Sequence, residues 1–172
     1  MYKKAVAAYQ NQELDVSIQL ANEILTSRPD NFLTLNLLVS IYSLNGDFEK
    51  ALFYVEKSIE IKPQNVNALQ GKGYILFRLE RYEESLIYYS KSISIEPNSR
   101  VLNNMGIIFS KLSRYKEALD CYEKGISVNL DNHTNVFGKS CLLLLMGELE
   151  KGFRFYESRW DIDFFKNKKK IT

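Results

Sequence analysis

The chain has 172 residues, 45% of them hydrophobic and 26% charged, with a formal net charge of +2 at pH 7. Its longest apolar run, Cys141 to Met146, is too short to cross a bilayer, and the start Met1-Tyr-Lys-Lys-Ala-Val-Ala-Ala-Tyr has no long apolar core of the kind a secretory signal needs, so a cytoplasmic setting is expected. Cys121 and Cys141 lack metal-like spacing and are expected to be buried free thiols, which excludes a disulfide framework.

Taken in order, the first helix opens at Met1 with no capping residue before it. It packs on Ala5, Ala7 and Ala8, and turns at Asn11-Gln12 into a second helix ending at Arg28-Pro29. From Asn31, Leu35, Leu38, Ile41 and Tyr42 recur at helical spacing up to Asn45-Gly46. A further helix then carries Ala51, Leu52, Val55 and Ile59 to Pro63. The same hairpin returns up to Pro97 with Leu69, Leu76, Tyr82, Ser85, Leu86, Tyr89 and Ile93, although Glu80 replaces the turn glycine. The fourth hairpin is one residue shorter near Ser99 and has Leu130 in place of the closing proline, so Asp131-Asn132 is expected to make that turn. Proline at the end of the second helix removes an amide hydrogen and clashes with the preceding turn, so the helix stops and the chain reverses. The fifth hairpin keeps the turn and the small residue. Arg159, however, stands where Ile24, Ser58, Ser92 and Gly125 stood, and Trp160 is expected to cover the last seam as a cap.

Three columns hold this register. Ser17, Ala51, Ser85, Ala118 and Gly152 are separated by 34, 34, 33 and 34 residues; so are Leu14, Phe48, Tyr82, Tyr115 and Leu149, and so are Ala5, Val39, Gly73, Gly106 and Ser140. A plain helix bundle requires no such period, whereas stacked repeats do. The period and the residue types resemble the tetratricopeptide repeat over nearly the whole chain. That resemblance implies an all-α, right-handed superhelical solenoid of about five helix-turn-helix hairpins, at residues 1–30, 31–64, 65–98, 99–132 and 133–162; residues 163–172, whose lysines have no apolar periodicity to pack, are expected to form a basic, mobile tail. Gly147-Glu-Leu-Glu-Lys-Gly-Phe-Arg-Phe-Tyr-Glu-Ser-Arg-Trp160 further resembles the last repeat of bacterial tetratricopeptide proteins that continue into a domain related to O-GlcNAc transferase. This second resemblance implies an alternative role as the substrate-presenting arm of a glycosyltransferase, with a catalytic domain or partner docking on the fifth hairpin.

Within the chain itself no catalysis, metal or cofactor is expected. The one histidine, His133, is placed at a turn between hairpins, and neither a phosphate-cradling glycine loop nor a nucleophile motif is present. Lys166-Asn-Lys-Lys-Lys is the only basic cluster. Without its four lysines the chain has 19 basic against 21 acidic residues, so neither nucleic acid nor a membrane is expected as a partner. A surface remains. The first helices of stacked hairpins line the concave side, and there the faces turned away from Leu35, Leu69 and Leu102 carry Asn36, Ser40, Asn67, Gln70, Tyr74, Phe77, Arg100, Asn103 and Lys111. Amides pair with a peptide backbone in either sense, the aromatics offer rigid apolar area, and the two cations suit carboxylates. The expectation is an interaction scaffold that holds an extended, partly acidic segment of a protein across the second to fourth hairpins. The chaperone-tail clamp of some tetratricopeptide proteins is largely absent, since its places hold Asn36, Ser40, Gly71, Arg100 and Asn104.

Overall fold

The computed structural model describes residues 1–129 and 133–156. Among the described residues there are ten helices and no strand: α1 (Tyr2–Gln10), α2 (Leu14–Ser27), α3 (Phe32–Leu44), α4 (Phe48–Ile61), α5 (Val66–Arg78), α6 (Tyr82–Ile95), α7 (Ser99–Lys111), α8 (Tyr115–Val128), α9 (His133–Leu145) and α10 (Leu149–Tyr156). They fall into two compact units, Met1–Ile95 and Glu96–Thr172. The first holds the hairpins α1/α2, α3/α4 and α5/α6, and the second holds α7/α8 and α9/α10. His133, expected in a turn, is instead the half-buried first residue of α9. The expected roles of Leu130, Asp131-Asn132, Arg159, Trp160 and the lysine tail fall outside the described residues.

The second, third and fourth hairpins begin where an asparagine can satisfy the free amides of the first turn. Asn31 Oδ1 accepts from the Thr34 amide at 3.0 Å, Asn65 Oδ1 from Ala68 at 3.0 Å, and Asn98 Oδ1 from Arg100 and Val101 at 3.0 and 3.2 Å. Such a cap is worth about 1 kcal/mol. Before α1 stands Met1, which offers no side-chain cap, and α1 runs for only 9 residues against 13 for α3, α5 and α7. Inside every hairpin the turn needs one residue in the left-handed region. Gly46 and Gly147 take it at φ 77° and 82°, while Gln12, Glu80 and Ser113 hold it at 65°, 58° and 58°. The missing turn glycine thus alters the strain at this position and leaves the geometry unchanged.

The small column lies where the two helices of a hairpin approach most closely. Ala51 and Ala118 are fully buried there. Where serine replaces alanine its hydroxyl is used: Ser17 Oγ donates to the Ala5 carbonyl at 2.8 Å, and Ser85 Oγ to the Gly73 carbonyl at 2.6 Å. In the fifth hairpin the roles are exchanged, and Ser140 on α9 donates to the Gly152 carbonyl on α10 at 2.8 Å. Glycines on the facing helix admit aromatic rings. A methyl on Gly73 would lie 2.5 Å from the Tyr89 ring, and one on Gly106 2.6 Å from Tyr122.

Within the first unit, successive hairpins join through a shared apolar seam. In the first unit Leu14, Ile18 and Ala21 of α2 pack with Leu37, Leu38 and Ile41 of α3. One repeat later Phe48, Leu52 and Val55 of α4 pack with Ala68, Ile75 and Leu79 of α5. A salt bridge spans the second of these joints. Lys72 on α5, only 9% exposed, reaches Glu56 Oε1 on α4 at 2.8 Å, with its ammonium 4.3 Å from the centre of the Tyr88 ring. In the second unit Lys139 on α9 reaches Glu123 on α8 at 2.7 Å and lies 5.5 Å from the centre of the Phe155 ring. The three positions of each set correspond in the repeat register.

Candidate binding grooves

In the first unit the faces of α3 and α5 carry six of the residues expected to bind. Tyr74 is 37% exposed, meets Phe48 edge-on with centroids 6.4 Å apart, and accepts a hydrogen bond from Arg78 Nη1 at 2.8 Å. The Arg78 guanidinium in turn lies 4.4 Å from the centre of the Phe48 ring. These contacts make a braced aromatic and cationic platform whose rotamers are already fixed, so little side-chain entropy is lost on binding. Asn67 and Ser40 are exposed, and Gln70 and Phe77 half-buried. Phe77 leans on Tyr82. Asn36 is committed inward: its Nδ2 donates to the Phe32 carbonyl at 2.8 Å and its Oδ1 accepts from Ser58 Oγ at 3.0 Å.

The second unit contains a cavity of about 590 Å³ between α7 and α9. Asn103, Ile107, Ser110 and Lys111 line it from α7, and Thr134, Phe137, Gly138, Cys141, Leu142 and Leu145 from α9. Tyr122 of α8 forms its floor. That ring is held between two glycines, since a methyl on Gly138 would lie 2.6 Å from it, as one on Gly106 would. Burial pushes the Tyr122 phenol above its ordinary pKa, and a hydrogen bond with Ser110 offsets part of that. Two expected residues, Asn103 and Lys111, therefore meet at one cavity. Arg100 lies apart, at the first turn of α7, beside a hollow of about 370 Å³ formed with Pro97, Asn98, Ser99, Val128 and Asn129.

The aliphatic part of this site was missed by sequence reasoning. Ile107, Leu142 and Leu145 sit at ordinary core spacing, and nothing in one sequence tells a covered leucine from one facing a groove. Cys121 is buried as expected, and burial pushes its thiol up to about 11. Cys141 corrects the expectation: it is exposed and lines the cavity, because α9 turns that face toward the groove. Burial still raises its pKa, so it is no activated nucleophile. Among the described residues no group of three or more His, Cys, Asp or Glu side chains could hold a metal ion, and no helix is long and apolar enough to cross a membrane.

Comparison with known proteins agrees with this geometry. Family models described as tetratricopeptide repeat match residues 34–65, 66–99 and 99–132, together more than half of the chain. The TPR repeat-containing protein MJ1428 of Methanocaldococcus jannaschii is 32% identical over 102 residues, which are 59% of this chain and 18% of that protein. The BBSome complex member BBS4 of Bos taurus is 28% identical over 81 residues, which are 47% of this chain and 15% of that protein. The chain thus spans less than a fifth of the length of these relatives. Among solved structures, MamA superposes with a TM-score of 0.86 at 16% identity, covering 95% of this chain and 96% of that one. YrrB, described as a TPR protein with an unusual peptide-binding site, gives 0.79 at 15% identity, covering 94% and 84%. Likeness at this level of identity is likeness of fold.

Proposed function

The chain belongs to the tetratricopeptide repeat family, and from that premise we propose that it is a non-catalytic scaffold that binds a segment of a partner protein in the groove of its first helices. The observation that carries this reading is the cavity between α7 and α9, whose lining is mostly apolar and aromatic with Asn103, Ser110, Lys111 and Thr134 as its polar groups. A groove of this composition suits a segment that inserts one large apolar side chain beside Tyr122 and Phe137, pairs its backbone with Asn103, and directs an acidic residue toward Lys111. Tyr74, Gln70 and Asn67 offer a second, more polar contact surface within the first unit.

The test is selection of peptides from a random display library against the full chain. The selected peptides should share a bulky apolar residue near an acidic one, and Leu145→Glu and Lys111→Glu should each weaken them at least tenfold. Leu145 is 66% exposed, so its replacement leaves the fold intact. Selected peptides that bind both variants as well as the parent would sink this reading. The alternative, an arm presenting substrates to a glycosyltransferase domain, is supported by the resemblance of the Gly147–Trp160 segment alone. It requires a nucleotide-sugar-binding domain in the polypeptide beyond Thr172, and a downstream reading frame without one removes it.

A further inference from the structure

The outward side of the second helices follows a rule that α4 and α6 break. Two and six residues after the small column stand Gln19 and Glu23 in α2, Phe53 and Lys57 in α4, Ile87 and Lys91 in α6, and Asp120 and Lys124 in α8, all exposed. Four residues apart, the two side chains of each set are neighbours on the helix surface. In α2 and α8 both are polar and satisfy each other: Gln19 Nε2 donates to Glu23 Oε1 at 3.3 Å, and Lys124 Nζ to Asp120 Oδ2 at 2.6 Å. In α4 and α6 the first place is taken by a large apolar side chain, Phe53 at 51% and Ile87 at 52% exposure. The lysine that follows has no acceptor there. Neither Lys57 nor Lys91 makes an ion pair among the described residues.

These side chains stand on a braced base within the first unit. Phe53 meets Tyr54 edge-on with centroids 5.1 Å apart, and Tyr54 stacks on Tyr42 of α3 at 5.5 Å. The Lys57 ammonium lies 4.3 Å from the centre of the Phe53 ring. Next to Ile87, the Tyr88 ring takes the ammonium groups of Lys72 and Lys91 at 4.3 and 5.1 Å from its centre. Because Lys72 also bonds Glu56, it ties α4 to α6 and fixes the two outward faces together. Little side-chain freedom remains to be lost on binding.

A cation without an acceptor beside an open apolar side chain is complemented by a carboxylate beside a large apolar residue. The positive charge is local, since α4 and α6 together carry five glutamates and three lysines, and the two helices as a whole repel an anionic bilayer. We propose that the outward face of α4 and α6 is a second docking surface, for a segment of a partner protein that sets large apolar side chains on Phe53 and Ile87 and an aspartate or glutamate at each of Lys57 and Lys91. This surface is separate from the groove of the first helices and does not depend on what that groove binds.

The test is selection of dodecapeptides from a random display library against the full chain, after depletion on the full chain carrying Phe53→Asp and Ile87→Asp. These changes reproduce the polar pair of α8 at sites already half open to water, and thermal melts matching the parent would show the hairpins intact. Peptides that survive depletion should share an acidic residue next to a large apolar one and bind the Lys57→Glu and Lys91→Glu chains at least tenfold more weakly. They should bind the Lys111→Glu chain as tightly as the parent, which separates them from ligands of the α7/α9 groove. An empty selection, or survivors indifferent to both lysine variants, overturns the proposal. So does cosedimentation with vesicles of phosphatidylserine and phosphatidylcholine that Phe53→Asp abolishes, which gives the face to a bilayer. Self-association of the chain abolished by the same change gives it to a second copy and equally overturns the proposal.

Discussion

Gly71 and Gly73 sit two residues apart in the middle of α5, yet the packing separates them. A methyl added at Gly73 would run into the Tyr89 ring at 2.5 Å, whereas at Gly71 the nearest atom is a methyl of Val55 at 3.9 Å, an ordinary contact. Glycine costs about 0.5 to 1 kcal/mol against alanine inside a helix. Gly71→Ala should therefore raise stability by about that amount. Gly73→Ala should lower it by about 1 to 3 kcal/mol through overpacking against a ring that cannot bend away. Denaturant melts of the two variants that shift in the same direction would contradict this account. Lys72 makes a second residue-scale case. Burial pulls its pKa down, but hydrogen bonds to Glu56 and Tyr88 outweigh that and leave it above the ordinary 10.5. A raised lysine contributes stability that is fully present below pH 10.5 and fades as pH rises through its folded value. With Glu56 half-exposed the pair is worth about 0.5 to 1 kcal/mol. Lys72→Met, which places here the residue found at Met105, should thus flatten the loss of stability between pH 9 and strongly alkaline conditions. An unchanged alkaline slope in urea melts would show that the pair contributes nothing.

At the scale of the element, the five hairpin turns share one backbone shape and differ only in who bears it. Non-glycine residues in the left-handed region cost about 1 kcal/mol. Glu80→Gly and Ser113→Gly should therefore each stabilise the protein by about 0.5 to 1 kcal/mol, since Gly46 and Gly147 already occupy the equivalent sites at similar φ. A loss of stability in both variants would mean that these side chains make contacts outweighing the strain. The turns also show what a single sequence discloses. Period, helix order, the short α1 and the tight small column were legible because sterics dictate them residue by residue. The inter-hairpin salt bridge was not, because Lys72 and Glu56 lie 16 positions apart and a lysine within an apolar stripe looks like an interruption of it. The groove was read in part. Choosing polar and aromatic residues found Asn103 and Lys111 but also Asn36, whose amide is spent on Ser58, and it passed over Ile107 and Leu145.

For the molecule as a whole, stability in a repeat array is carried by neighbours, so the ends open first. Of α10 only Gly152 is buried and of α1 only Ala5 and Ala8, against six residues each in α3 and α5 and seven in α7. Hydrogen exchange resolved by segment should find α1 and α10 exchanging well before α3, α5 and α7. Uniform exchange along the chain would point to a single cooperative fold in which position in the array carries no weight.

The left-handed turn after α3 also sets how the protein ages. Asn45 and Gly46 are both exposed, and the glycine carries no side chain to shield its own amide nitrogen. That nitrogen can attack the Asn45 side-chain carbonyl, expel ammonia and leave a succinimide, which water opens to an aspartate or its backbone-shifted isomer. The corresponding Leu79-Glu80, Leu112-Ser113 and Met146-Gly147 turns have no side-chain amide to lose, and at Asn11-Gln12 the glutamine side chain shields the attacking nitrogen, so among these turns the one of α3/α4 acquires a negative charge fastest on storage. That charge appears at the C-terminus of α3, the end of a helix least suited to hold it.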